Sequence, residues 1–99
     1  MGNLRYDFTD RTVVVTGAAL GIGLEVARFF VAAGASTYLV DLPGDDLTAA
    51  TADVGGQALP ADVTSTAEVD RAIAGVITET GRIDILVNNA GMLRAHVVW

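Results

Sequence analysis

The sequence predicts an α/β fold in which a parallel β-sheet carries helices on both faces. Three observations lead to this prediction. Short apolar runs rich in β-branched residues alternate with segments of helical periodicity, which is typical of βαβ units. The first apolar run ends in a turn with three closely spaced glycines, and a helical pattern starts there at once. The last run ends in two adjacent asparagines, as a strand entering a polar loop does.

Composition and charge exclude several kinds of function and argue against others. The chain has 99 residues, 52% of them hydrophobic, and a formal net charge of −6. One small domain is expected, and the acidic balance argues against a nucleic-acid or anionic-membrane partner. The absence of cysteine excludes disulfides and thiol catalysis and argues against a zinc site. Because no signal-peptide pattern and no membrane-length apolar run is present, we expect a cytoplasmic protein.

The first predicted unit is a strand, a tight turn and a helix. Thr12 to Thr16 is apolar and β-branched and predicts a buried strand. A helix is predicted from about Gly21 to Ala33, and Gly34 has the place of a left-handed C-terminal cap. The helical spacing predicts an apolar face that consists of Ile22, Val26, Phe29, Phe30 and Ala33.

The remaining elements repeat the alternation of strand and helix. In chain order they are a strand at Ser36–Val40, a short helix ending near Asp53, a weak strand from about Gln57 to Pro60, a helix capped by Ser65 and closed by Gly81, and a strand at Ile83–Val87. Ser65 and Glu68 form a capping box, in which each side chain satisfies a main-chain N–H at the other residue.

Connection rules then predict the topology of the sheet. Right-handed crossovers place the first two helices on one face. The third helix crosses the other face if the fourth strand lies beside the first. The resulting strand order, 3-2-1-4, is the first part of the doubly wound (Rossmann) dinucleotide-binding fold.

The turn after the first strand has the chemistry of a phosphate site. Gly17 can adopt the backbone angles of a tight turn, and Gly21 and Gly23 have no side chains to keep a ligand from the main chain. The N–H groups of the helix's first turn lack internal acceptors, and the helix dipole favours an anion there. The turn, including Leu20 and Ile22, is therefore a candidate pyrophosphate site. A purely structural strand-to-helix turn is the alternative.

Two motifs carry a resemblance to a known family. Thr16-Gly17-x-x-x-Gly21-x-Gly23, read with Asn88-Asn89-Ala90-Gly91, resembles the classical short-chain dehydrogenase/reductase family. The resemblance spans nearly the whole chain but only the first half of that fold, so it implies that residues 1–99 are an N-terminal dinucleotide-binding portion. It also implies that Asn89, Ala90 and Gly91 line the adenosine ribose. For the two asparagines, a hairpin-type turn is the alternative.

Asp41 predicts the identity of the cofactor. It closes the second strand, at about the distance from the glycine turn at which a carboxylate binds the adenosine ribose hydroxyls. A 2′-phosphate there would face a like charge, and neither Leu42 nor the glycine turn supplies a cation. We therefore predict NAD rather than NADP, with Asp41 and Leu42 in the site. A solvated strand-end carboxylate is the alternative.

The two residues that follow the third strand are further candidates for the site. Asp62 and Val63 resemble the family's adenine-contacting pair, in which the carboxylate accepts from the exocyclic amine and the valine packs on the ring. Ordinary turn chemistry before a helix is the alternative, because Asp is common in such turns.

The family's catalytic residues have no match in this sequence. The family uses a Ser, a Tyr-x-x-x-Lys pair and an Asn beyond the Asn-Asn-Ala-Gly strand, and it acts on alcohols and carbonyls. This chain contains no lysine, and Asp10 and Leu42 stand four residues after Tyr6 and Tyr38. We therefore expect an NAD-binding portion of an oxidoreductase that transfers no hydride alone. A fourth strand left as an unpaired apolar edge also predicts self-association.

Two other functions stay open at this point. One is a non-catalytic nucleotide-sensing or partner-binding module built on the half-fold. The other is a methyltransferase-like half-fold, which shares a glycine-rich turn and a strand-end acid but has no use for the Asn-Asn-Ala-Gly segment.

Overall fold

A computed structural model describes residues 7–89 as alternating strands and helices. In chain order they are β1 (Thr12–Thr16), α1 (Gly21–Ala32), β2 (Ser36–Asp41), α2 (Asp45–Val54), β3 (Gln57–Pro60), α3 (Thr66–Thr80) and β4 (Ile85–Val87). The strands form a parallel sheet in the order β3-β2-β1-β4, which confirms the predicted fold class and topology. None of the helices within residues 7–89 is long and apolar enough to cross a membrane.

Two hydrophobic cores lie on opposite faces of the sheet. Val13 and Val15 of β1 pack with α1 and α2, whereas Val14 packs with α3. This division follows from the alternation of side chains along a strand. Every residue of β1 is buried, as expected for a central parallel strand covered on both faces. The predicted crossing of α3 to the other face is therefore confirmed.

Only part of the predicted apolar face of α1 turns to the sheet. The buried residues of the helix are Gly23 and Ala27, while Ile22 and Phe29 are 75% and 45% exposed. At Gly23 a larger side chain has no room, because its Cβ would overlap the carbonyl oxygen of Gly17 in the turn before α1. Of the predicted apolar face, Val26 and Phe30 pack at the edge of the core.

The starts of α3 and β4 also differ from prediction. Ser65 Oγ accepts from the N–H of Glu68, but Glu68 Oε1 accepts from the N–H of Asp62 at 2.9 Å. Only half of the capping box forms, because the N–H of Ser65 already donates to the carbonyl oxygen of Asp62. The strand β4 begins at Ile85 rather than Ile83. Before it, the Asp84 carboxylate accepts a hydrogen bond from the N–H of Thr12 at 2.8 Å, so a side chain replaces a main-chain acceptor there.

Candidate cofactor-binding site

The glycine turn lies against the carboxyl end of β2. Gly17 and Gly21 have φ angles of 63° and 60°, in the left-handed region that favours glycine. Between them, the N–H of Ala18 donates to the carbonyl oxygen of Val40. The turn is thus attached to the neighbouring strand as well as to the two elements it connects.

Gly21 and Gly23 serve different purposes. Nothing lies within 4 Å of a Cβ built on Gly21, so this glycine leaves open space at the start of α1. A Cβ built on Gly23 would overlap the carbonyl oxygen of Gly17 and lie 2.6 Å from Asn89 Nδ2. The missing side chain of Gly23 therefore makes room for the protein's own main chain, and contact of Gly23 with a cofactor stays a prediction.

The Asp41 carboxylate is held beside the glycine turn. Its Oδ2 accepts from the N–H of Ala19 at 2.9 Å, and its Oδ1 accepts from the N–H of Leu42 at 2.8 Å. The carboxylate is half-buried, whereas the Leu42 side chain is exposed. Each oxygen accepts one main-chain hydrogen and retains a further lone pair, so the group can still accept hydrogen bonds from a ligand.

The asparagines after β4 are joined to the start of the glycine turn. Asn89 Nδ2 donates to the carbonyl oxygen of Gly17 at 3.2 Å, and the N–H of Asn89 donates to Thr16 Oγ1 at 3.0 Å. The Thr16 hydroxyl has Asn88 Oδ1 at 3.2 Å and the carbonyl oxygen of Val87 at 3.4 Å as possible acceptors. Through these hydrogen bonds the two asparagines hold the end of β4 against the end of β1.

Asp62 takes part in a local turn. Its Oδ1 accepts from the Thr64 hydroxyl at 2.6 Å and from the Thr64 N–H at 2.9 Å. These two hydrogen bonds, the hydroxyl's first, hold the pKa of Asp62 below its ordinary value. Val63 is half-buried and packs against the core beneath α3. The turn chemistry considered as the alternative is thus present at Asp62.

The sheet register gathers the candidate residues at one edge. Thr16 pairs with Val40, and Asp41 pairs with Pro60, so the turns after β1, β2 and β3 leave the sheet side by side. The side chains of Leu20, Ile22 and Leu42 are exposed at this edge. Ala90 and Gly91, which complete the predicted site, lie outside the described residues.

Comparison with known proteins decides the family. The profile described as short chain dehydrogenase matches residues 11–98. The chain belongs to the short chain dehydrogenase family. Oxidoreductase UcpA of Salmonella typhimurium is 42% identical over 91 residues, which is 87% of this chain and 34% of the relative. The 7alpha-hydroxysteroid dehydrogenase of Escherichia coli is 39% identical over 94 residues, covering 90% of this chain and 36% of the relative.

Solved structures of the family have the same arrangement. A hydroxysteroid dehydrogenase from Escherichia coli superposes with a TM-score of 0.78 at 37% identity, covering 86% of this chain and 38% of that one. A metagenomic short-chain oxidoreductase in complex with NADP superposes with a TM-score of 0.79 at 33% identity, covering 86% and 41%. The chain thus spans about a third of the length of the relatives it matches. It corresponds to the cofactor-binding region of short chain dehydrogenases.

Two contacts of this site have little or no signal in the sequence. The Ala19 N–H that holds Asp41 is a main-chain donor, and no residue type signals it. The sequence marks Thr16 only as the end of the first strand and as part of a motif, whereas its hydroxyl joins β1 to both asparagines. A polar β-branched residue at the end of a buried strand was the available signal for Thr16.

Proposed function

We propose that residues 1–99 form the NAD-binding portion of a short-chain dehydrogenase/reductase oxidoreductase, and that these residues transfer no hydride by themselves. The observation that carries the proposal is the Asp41 carboxylate, placed beside the glycine turn by the N–H of Ala19. An adenosine diphosphate group fits a site in which a carboxylate that binds the ribose hydroxyls contacts a turn that binds the diphosphate.

The start of α1 fits a diphosphate. No side chain caps this helix, and its first turn contains no acidic residue, so nothing on the helix itself competes with an anion. The open space at Gly21 lets an oxygen approach the main chain. In this proposal the first N–H groups of α1 donate to the diphosphate, and the helix dipole adds to their attraction.

Asp41 favours an unmodified ribose. Its two oxygens each retain a lone pair for one of the adjacent 2′ and 3′ hydroxyls. In the described part of the chain, no cation lies beside the carboxylate to offset the charge of a 2′-phosphate. Among residues 7–89, Arg11 and Arg82 pair with Asp84 at the other end of the strands, and Arg28 pairs with Glu25 and Asp53. The fourth arginine of this range is exposed on α3.

The rest of the adenosine site is proposed on the family's pattern. Asp62 and Val63 would contact the adenine, and Asn89, Ala90 and Gly91 would line the ribose. The Oδ1 atom of Asp62 is occupied by Thr64, so its other oxygen would accept from the exocyclic amine. When bound, the cofactor supplies the hydride chemistry, and the residues of this chain bind and orient it.

Calorimetric titration of the 99-residue chain with NAD and with NADP tests the cofactor assignment. We expect the affinity for NAD to exceed that for NADP by about tenfold or more, since a hydrogen bond to a charged acceptor contributes about 1.5–3 kcal/mol. Equal affinity for the two cofactors would refute the role of Asp41. Absence of NAD binding would refute the proposed function itself.

A complementation assay separates catalysis from simple binding. The chain contains no lysine for the family's Tyr-x-x-x-Lys pair. We therefore expect no change in nicotinamide absorbance with alcohols or carbonyls, and activity once a polypeptide carrying the rest of a family fold is added. Binding of NAD with no activity after complementation would favour the nucleotide-sensing or partner-binding module.

Self-association through β4 is a further part of this proposal. Within the described sheet β4 lies at one end, and its apolar residues Ile85–Val87 are only half-buried. Apolar edge strands pair readily with other strands. Sedimentation should therefore show a concentration-dependent increase in mass, and a strictly monomeric chain would contradict it. The cytoplasmic location stays a prediction.

A further inference from the structure

We propose that Asp41 also positions the phosphate-binding turn, so that reading the sugar and seating the diphosphate depend on one carboxylate. This inference rests on the proposed function for its ligand but concerns the protein's own contacts. Asp41 would then be a positioning residue for the main-chain donors of α1 as well as a ligand of the ribose.

The contacts between β2 and the turn carry this inference. Two hydrogen bonds link the residues after Gly17 to the end of β2: Ala18 N–H to the Val40 carbonyl oxygen at 3.3 Å, and Ala19 N–H to Asp41 Oδ2 at 2.9 Å. The second is the shorter, and it has a charged acceptor, which makes it the stronger. The bond from the Leu42 N–H to Oδ1 holds the carboxylate in the orientation that reaches Ala19.

Burial makes this bond costly to lose. Ala18 and Ala19 are 0% and 6% exposed, so solvent has little access to replace the carboxylate at the Ala19 N–H. A buried donor without an acceptor is destabilising, and the turn would move to relieve it. Because α1 begins two residues after Ala19, that movement displaces the first N–H groups of the helix from the diphosphate position.

A ligand without ribose hydroxyls separates the two roles of Asp41. 2′,3′-Dideoxyadenosine 5′-diphosphate retains the diphosphate but has no hydroxyl for Asp41 to bind. If Asp41 only reads the sugar, Asp41→Ala should leave its affinity unchanged, or raise it, because a negative charge near an anion is removed. If Asp41 positions the turn, the affinity should fall despite the favourable change in charge.

We expect Asp41→Ala to weaken binding of the dideoxy ligand about fivefold or more. Asp41→Asn should give a smaller loss than Asp41→Ala, because its side-chain oxygen can still accept from one of the two N–H groups. Asp46→Asn is the matched control: it removes the same charge from an exposed position in the first turn of α2 and should not weaken binding.

Amide hydrogen exchange at Ala19 tests the positioning role without any ligand. In folded Asp41→Ala we expect the Ala19 N–H to exchange about tenfold or more faster than in the wild type, with a smaller increase in Asp41→Asn and with Val14 in β1 unchanged. Unchanged Ala19 exchange, or unchanged or tighter binding of the dideoxy ligand, would overturn this inference while NAD binding stood. If the wild type binds neither nucleotide, the proposed function fails, and the exchange result still decides the positioning role.

Discussion

The side-chain amide of Asn89 donates a hydrogen bond to the carbonyl oxygen of Gly17 at 3.2 Å, across 72 positions of the chain. This bond joins the turn after β1 to the residues after β4. Gly23 lies against both groups, because a Cβ on it would overlap the Gly17 oxygen and crowd Asn89 Nδ2. The two motifs that identify the family are therefore one structural unit, and changes at either should affect both.

Gly23→Ala should destabilise the fold strongly. The added methyl group meets main chain at Gly17, which cannot rotate away as a flexible side chain can. We expect the free energy of unfolding to fall by about 1–3 kcal/mol or more, measured by urea denaturation. Gly75→Ala in α3 is the control: nothing lies within 4 Å of its Cβ, so it should stabilise by about 0.5–1 kcal/mol. A Gly23→Ala variant as stable as the wild type would show that this contact is not tight.

Thr16→Val should loosen the attachment of β4 to β1. Valine keeps the shape of threonine but removes the hydroxyl that accepts from the Asn89 N–H and donates toward Asn88 or Val87. Since Thr16 is only 9% exposed, the loss should be about 1–3 kcal/mol in the free energy of unfolding.

Thr16→Ser is the matched control for this substitution. Serine keeps the hydroxyl and should retain most of the stability and the NAD affinity. A valine variant as stable as the wild type would contradict the role given to the hydroxyl.

Asp84→Asn should weaken the dependence of the free energy of unfolding on pH in the acid range. The hydrogen bond from the Thr12 N–H, helped by Arg82 and Arg11, holds the pKa of the Asp84 carboxyl below its ordinary value. Because the folded pKa is the lower one, this stabilisation is present above about pH 4 and is lost as the pH falls through the folded pKa.

Urea denaturation at a series of pH values measures this effect. The Asp84→Asn variant should be less stable than the wild type at neutral pH, and the difference should shrink in acid. Asp70→Asn, on the exposed face of α3, controls for loss of one charge. A constant difference across the acid range would contradict the assignment to Asp84.

Tyr38 should make the protein sensitive to alkali. Burial, and then the hydrogen bond of its hydroxyl to Glu79 Oε1 at 2.8 Å, raise the pKa of Tyr38 to about 12. Since the folded pKa exceeds the unfolded one, this contribution to stability is complete below about pH 10 and is lost as the pH rises toward 12.

The absorbance of tyrosinate during an alkaline titration measures the pKa of Tyr38 directly. The step that disappears from the titration curve in Tyr38→Phe belongs to Tyr38. That variant should also lose less stability than the wild type at high pH. Glu79→Gln should lower the pKa only in part, because burial is the larger cause. A Tyr38 phase at the ordinary tyrosine pKa would contradict the buried environment.

The elements and their order followed from local patterns. Apolar runs, Ser65 and Gly81 predicted them, because each acts within a few residues of its own position. The inward face of α1 could not be read from periodicity, since Ile22 and Phe29 fit a helical stripe as well as Gly23 and Ala27 do. What places Gly23 inward is the contact with Gly17 and Asn89.

For the site, residue types indicated the chemistry but not the connections. Asp41 was identified by its distance from the glycine turn, whereas its bond to Ala19 depends on how closely that turn approaches β2. Likewise, Glu68 was expected to cap Ser65, but it binds the N–H of Asp62, because Ser65 already donates to Asp62.

By itself the sequence determined the alternation of strands and helices, the strand order and the residues that mark the family. Those features depend on neighbours in the chain and on the handedness of crossovers. Only the tertiary structure decided that Gly23 packs against Gly17 and that Asp41 binds the turn. Both contacts join segments that are brought together by the sheet register, and main-chain groups, which carry no sequence signal, supply one side of each.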